Sequence, residues 1–502
     1  MNRILIALVG SVICLVGAVF LLNRSDSHRP SAARNHSEPL VMFCAASNRA
    51  VMETIREEYE KEFGRTVQIQ YGPSQTLLSS IEISGTGDLF LPADDSYIEL
   101  GIQKSLVAEV LPIAKMHAVV AVLKNNPKSI KSLKDLDQKS VRFVQANPDS
   151  TAIGKVTKNV LAESGQWEQL EKATVGFRTT VADVANDIAI GAADAGIVYD
   201  AVLHSYPDLQ AVELPELESA VSQVSIGIIK STKQASSALH FARYVSARDR
   251  GLLHYSKHGF QVSKGDVWED VPELSVFAGS MLRPAIEDTI AAFEKREGVQ
   301  VSRVYNGCGI LVAQMKAGQR PDAYFACDSE FMKQVPDIFP ESTDVSKNEL
   351  VILVKKGNPL HIKSLKDLGR EGIRVGIGHE KQCAMGWITQ NTLREGGLQQ
   401  EIMPNVTVQT PSGDMLVNQM QTGSLDAAVA YLSNAAGATE FLDAIQIQGI
   451  ECSVATQPFA IAVDSPHSQT ASRLFKSICS SDSEANFIAE GFSWQLKASN
   501  AK

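Results

Sequence analysis

The heptapeptide IKSLKDL stands at 130–136 and again at 362–368, 232 positions apart. Seven identical residues in a row mark an internal duplication. A period of 232 is far too long for a solenoid unit and suits one large domain. The flanking sequence agrees. LVMFCAASNRAVMETIREEYEKEFGRTVQIQYGPSQTL (40–77) lines up with LSVFAGSMLRPAIEDTIAAFEKREGVQVSRVYNGCGIL (274–311). GDLFLPADD (87–95) lines up with PDAYFACDS (321–329), and AIGAADAGIVYD (189–200) with QTGSLDAAVAYL (421–432). The last pair is FARYVSARDRGLLHYSKHGF (241–260) and LFKSICSSDSEANFIAEGF (474–492). The chain therefore reads as one domain written twice, at 39–262 and 272–495, joined by a linker at 263–271 too short to let the copies roam.

Each copy opens as strand, short loop, helix, glycine, strand. Val51, Ile55, Tyr59 and Phe63 recur every four residues, one apolar stripe for packing on a sheet; the counterpart is Leu282, Ile286, Ile290 and Phe293. Pro284 falls in a first turn, where its missing N–H costs little, and Gly64 and Gly298 end the helices. Strands alternating with amphipathic helices predict an α/β fold with mostly parallel sheets, each copy large enough for two lobes around a cleft. The repeated heptapeptide itself reads as a turn in which Ser132 or Ser364 caps a short helix, away from any site.

The N-terminus differs from the rest. Residues 4–22 are apolar or small and uncharged, just long enough to span a bilayer. Residues 1–25 are read as a signal-anchor or a signal peptide, since VGA ending at Ala18 also suits cleavage. Residues 26–38 are read as a flexible tether. Either reading exports the bulk of the chain. A net charge of −10 without a long basic run argues against a nucleic-acid partner. The seven cysteines include no C-x-x-C pair and suggest neither a zinc site nor a disulfide framework.

The loop–helix junctions are where chemistry could reside. Ser47 and Ser74 each follow a strand and precede a helix. A helix start has unpaired N–H groups and a partial positive charge, so two facing starts with serine hydroxyls make an anion site without Lys or Arg. Taken singly, each serine could equally be a plain N-cap.

FCAASNRAVMETIREEYEKEFG, YGPSQTL, GDLFLPADD and AADAGIVYD, in that order and spacing, resemble the periplasmic molybdate-binding proteins of ABC importers. The resemblance covers nearly all of both copies. It implies two tandem type II periplasmic-binding-protein domains after an N-terminal hydrophobic helix, each with two α/β lobes closing on a tetrahedral oxyanion. Carried over by motif, it implies Ser47, Ser74, the amides near Ala152 and Ile153, the amide of Val181, and Tyr199 as ligands in the first copy. In the second copy it implies Ser280, Cys308, Ala384, Met385, Gly413 and Tyr431. There Cys308 stands where the second serine is expected, and Cys383 lies beside the amide loop; a thiol is the weaker donor, so the clefts are expected to differ. Cys308 and Cys383 face each other in this reading and could pair if their Cα atoms come within about 7 Å.

The implied partners are molybdate, tungstate or a similar oxyanion, an ABC-transporter permease, and the membrane through the N-terminal helix. No cofactor, metal or catalytic residue is expected. Two other classes are compatible with parts of the sequence. A membrane-anchored oxyanion sensor or scaffold would use the same fold, although no kinase or helix-turn-helix segment is left to transmit a signal. An enzyme would use Cys308 or Cys383 as nucleophile with a nearby base; His379 is four residues from Cys383, and neither G-x-S-x-G nor H-E-x-x-H occurs.

Overall fold

The computed structural model describes residues 38–496. The expected apolar segment 4–22, and the tether up to residue 37, lie outside the described residues. Among the described residues no helix is long and apolar enough to cross a membrane.

The first half carries strands β1 (Leu40–Ala45), β2 (Val67–Gly72), β3 (Leu89–Leu91), β4 (Val107–Leu123), β5 (Phe143–Ala146), β6 (Thr174–Arg178), β7 (Ala195–Tyr199), β8 (Leu209–Val212), β9 (Val221–Ile229) and β10 (Gln261–Val262). Their order is β2-β1-β3-β9-β4-β7-β5-β6, with β8 and β10 also pairing β4. The long strand β4 belongs to both lobes. Up to His117 it pairs with β9, and from Ala118 onward it pairs with β7 and β8. The hinge between the lobes is thus a point within a continuous strand.

The sheets are mixed, not mostly parallel as the sequence suggested. β1 runs parallel to β2 and β3, and β5 parallel to β6 and β7. β4 and β9 pair antiparallel because the chain leaves the first lobe along one and returns along the other.

The second half repeats this plan. Its strands are β11 (Glu273–Gly279), β12 (Gln300–Asn306), β13 (Ala323–Phe325), β14 (Thr343–Lys355), β15 (Val375–Gly378), β16 (Val406–Thr410), β17 (Ala427–Tyr431), β18 (Leu442–Gln446), β19 (Val454–Ile461) and β20 (Ser493–Trp494). Their order is β12-β11-β13-β19-β14-β17-β15-β16, the first half's order under renumbering.

The helices that position the clefts are α1 (Arg49–Phe63), α2 (Ser74–Ser84), α3 (Ser96–Gln103), α4 (Ala152–Glu163), α5 (Val181–Ala189) and α6 (Ala235–Ser246) in the first half. The second half has α7 (Arg283–Glu297), α8 (Cys308–Lys316), α9 (Ala384–Glu395), α10 (Gly413–Gln421) and α11 (Ser468–Ile478). α1 buries Val51, Met52, Ile55 and Tyr59, and Phe63 packs against the same core. Burying each such side chain is worth about 1.5–3 kcal/mol. Gly64 ends α1 at φ 66°, its N–H donating to Glu60 O at 2.8 Å, a conformation that residues with a Cβ avoid. The heptapeptide is a capping device in both copies. Ser132 N–H donates to the Asp135 carboxylate at 2.9 Å, and Ser364 N–H to Asp367 at 3.0 Å.

The halves meet through their first lobes. Glu297 on α7 is 1% exposed and accepts from Arg473 of α11 at 2.6 and 3.0 Å, while Arg243 of α6 donates to the Glu297 carbonyl at 2.5 Å. Burial lowers the Arg243 guanidinium to about 10. Asp266, in the linker, accepts from the Gln469 and Thr470 backbone at 2.8 and 2.9 Å. Arg296 pairs with Glu109 across the same boundary.

Candidate functional site

Three helix starts and two strand ends converge in the first half. α2 begins at Ser74, α4 at Ala152 and α5 at Val181; Ser47 lies in the single turn Ala46–Asn48 that leads into α1, and Tyr199 ends β7. All six residues expected from the sequence line one cavity, together with Ala45, Gly72, Ala93, Thr151, Thr179 and Thr180. No lining residue is charged. The cavity has about 30 Å³ of room for the centre of a water-sized sphere. One water needs roughly 10–15 Å³ by that measure, so the space suits a ligand of only a few heavy atoms.

Neither serine is an N-cap. The cap position of α1 is Asn48 and that of α2 is Pro73, with no side-chain cap bond at either. Ser74 is 2% exposed and its Oγ accepts the Ala93 N–H at 3.1 Å. That bond uses a lone pair and leaves the hydroxyl hydrogen to donate elsewhere. Capping in the opposite lobe falls to threonines. Thr151 Oγ1 accepts from Gly154 N–H at 3.1 Å and donates to Asn147 O at 2.7 Å. Thr180 Oγ1 accepts from Asp183 N–H at 3.1 Å, and the Asp183 carboxylate accepts the Thr180 N–H at 2.9 Å. With N3 positions served by the caps, the first-turn amides of Ala152, Ile153 and Val181 have no acceptor within their helices. Tyr199 is buried, which pushes its phenol well above the usual range, and its Oη lies 2.8 Å from Ser222 Oγ. With Ser222 as the donor, the phenol hydrogen is free for a ligand.

The arrangement is therefore a ring of neutral donors: hydroxyls, first-turn amides and a phenol, at positive helix ends. Such a ring stabilises an anion without a counter-charge. Ser222, Thr151 and Thr180 were not anticipated. Ser222 sits on β9 opposite Met116, two registers from the Tyr199 pairing, and nothing in its neighbourhood of the sequence marks it.

The second half departs at the same places. Ser280 opens the turn Ser280–Leu282 and so takes the place of Ala46; Met281 takes that of Ser47. The expected match of Ser280 to Ser47 is off by one: the two strand-to-helix connections are equally long, and the second carries its serine one position earlier. Cys308 does occupy Ser74's place, at the start of α8, and its Sγ lies 2.9 Å from the Cys327 N–H. It is joined to Cys327 in a disulfide with Cα atoms 6.3 Å apart. This corrects both the absence of a disulfide and the suggested Cys308–Cys383 partnership. β13 lies beside β11, so the residue just beyond it meets the head of α8 within one lobe, ahead of any group from the other. Cys383 is free and buried, at the cap position of α9, and burial pushes its thiol up to about 11. His379 faces it through a backbone carbonyl. Neither sulfur therefore stands as a thiolate: Cys308 is bonded to Cys327, and burial raises the Cys383 thiol.

Ala384 and Met385 head α9, and Gly413 heads α10. Backbone of their lobe comes up directly against the head of α8. Gly309 N–H of α8 donates to Gln382 O of the opposite lobe at 3.1 Å. A Cβ at Gly309 would strike Lys381 O, and one at Gly307 would strike Gln382 O and Pro411 O. The NGCGIL glycines thus admit the opposite lobe's carbonyls to the donor end of α8. Tyr431 Oη, buried, has no hydrogen-bond partner among the described residues, since Ala455 stands where Ser222 does. Asp414 follows Gly413, its carboxyl raised by burial, in the place of Ala182.

The family described as bacterial extracellular solute-binding protein matches residues 40–261 and again 274–493. The molybdate-binding protein ModA of Mycobacterium bovis is 26% identical over 240 residues, which is 47% of this chain and 90% of that protein. Among solved structures, the periplasmic molybdate-binding protein of Azotobacter vinelandii is similar with a TM-score of 0.38 and 19% identity, over 45% of this chain and 100% of its own. The sulfate-binding protein SubI from Mycobacterium tuberculosis gives 0.39 and 17%, over 44% and 86%.

Proposed function

Because the chain belongs to the bacterial extracellular solute-binding protein family through both of its halves, we propose that it is an extracytoplasmic receptor for a molybdate- or tungstate-like oxyanion that delivers its ligand to an ABC importer. The observation that carries this reading is the first cleft: neutral donors at three helix starts around a space of a few atoms. The ligand set is Ser47 and Ser74 hydroxyls, the Ala152, Ile153 and Val181 amides, and the Tyr199 phenol. The molybdate-binding relative supports the choice of anion; the sulfate-binding neighbour sets the competitor to test. Calorimetric titration of the purified protein with molybdate, tungstate and sulfate tests it. Tight binding of at least one of the first two supports the reading, and heat from none of the three ends it.

One observation favours a different role for the second half. The Gly309–Gln382 bond joins the two lobes directly at the head of α8, where the first half keeps its cavity. This half reads as a scaffold that buttresses the first, in place of a second receptor.

A further inference from the structure

Lys155 is the fourth residue of α4, the helix whose first two amides line the cavity. Its Nζ lies 3.3 Å from Ser96 Oγ and 5.2 Å from the centre of the Tyr97 ring. Ser96 and Tyr97 open α3 in the facing lobe, and Tyr97 is itself buried. One side chain therefore spans the cleft, from the helix that presents donors to the lobe it closes on. Among the described residues Lys155 pairs with no carboxylate; its contacts are a hydroxyl and a ring. Among the described residues the second half has no counterpart of this contact. Trp387 holds the same place on α9, and Glu330 and Phe331 stand where Ser96 and Tyr97 do. The cation occurs only in the half whose cavity is open.

We propose that Lys155 is a positioning residue of the first cleft, a cationic latch that holds α4 against the opposite lobe around a bound anion. The inference rests on the cavity being the oxyanion site. The latch forms only when the lobes are together, so its loss acts on escape of the ligand more than on its arrival. Its positive charge also offsets the charge brought in by an anion that meets only neutral donors.

The test is stopped-flow and calorimetric binding of sodium molybdate to the whole protein as wild type, Lys155→Met and Lys155→Arg. The hydrogen bond and the cation–ring contact together predict a Kd about tenfold weaker in the Met variant, mostly from faster dissociation. The Arg variant, which keeps the charge and the ring contact, should recover to within about threefold. Thermal unfolding without anion should be the same in all three. Equal dissociation rates in wild type and Lys155→Met overturn the latch while leaving the cavity assignment intact. Equal losses in the Met and Arg variants, or a drop in anion-free stability matching the affinity loss, also overturn it. A wild type that binds no molybdate removes the cavity assignment and the latch with it.

Discussion

Ser74 and Ala93 are bound to each other across the floor of the first cleft, Oγ to N–H at 3.1 Å, and in the second half the same two places are held by Cys308 and Cys327. The separation is 19 residues in both cases. One pair leaves a hydroxyl hydrogen for a guest. The other closes on itself as a disulfide.

Replacing Ser74 by Ala should weaken anion binding about ten- to a hundredfold, the loss of one hydrogen bond to a charged group. Calorimetry on the folded variant measures it. An unchanged Kd would remove Ser74 from the site.

One anion should bind per chain. The Gly309 N–H is engaged by Gln382 O, and Asp414 adds a carboxylate near a helix start. Titration should reach its endpoint near one equivalent, and Ser74→Ala should weaken that single isotherm. A clear second site would show that the second cleft opens in solution.

Peptide mapping under non-reducing conditions should find Cys308 linked to Cys327, with Cys383 free. The bond closes a loop of 19 residues, so reduction should cost the second half about 3 kcal/mol. Denaturant unfolding with and without reductant reads this, while molybdate affinity stays the same. A link to Cys383, or affinity that follows reductant, contradicts the assignment.

Glu297→Ala should destabilise the protein by about 3–5 kcal/mol, since it strands the buried Arg473 guanidinium and removes the Arg243 carboxylate contact at 3.5 Å while leaving the Arg243 bond to the carbonyl. Differential scanning calorimetry of the whole chain is the measurement. A change below about 1 kcal/mol, the scale of an exposed pair, would mean that solvent reaches this boundary.

Stability should fall above about pH 10, the ordinary tyrosine pKa. Burial raises Tyr199, Tyr255 and Tyr431 well above it in the folded state. A raised folded pKa means the stabilising effect is complete below the unfolded value and is lost as pH rises toward the folded one, because the unfolded chain releases protons first. Chemical denaturation at pH 8, 10 and 11 reads the sign; flat stability across that range contradicts it.

The parts of the fold set by local periodicity were legible from the sequence. The α1 stripe, its glycine end, the heptapeptide caps and the doubled order of elements follow from residue spacing alone. So does the placing of Ser74 at a strand-to-helix junction, whereas Ala152, Val181 and Tyr199 came only through the family resemblance. What escaped depends on tertiary neighbours. Ser222 reaches Tyr199 only through strand pairing. Cys327 reaches Cys308 only because β13 lies beside β11. Ser280 is one residue off the Ser47 place because a serine one position earlier in a loop of equal length preserves the look of the motif. The mixed sheets were missed because β4 runs through both lobes, and a periodicity argument has no view of where a strand changes partners.

Gly309 has a consequence for how the two halves respond to change over generations. A position with no side chain converts a place for a guest into a place the chain fills by itself. On the proposed reading, the second half has to satisfy only the demand that it stay folded and joined at Glu297. On that reading, variation there should register in how long the protein survives, whereas variation around Ser74 should register in how well a cell grows when the anion is scarce.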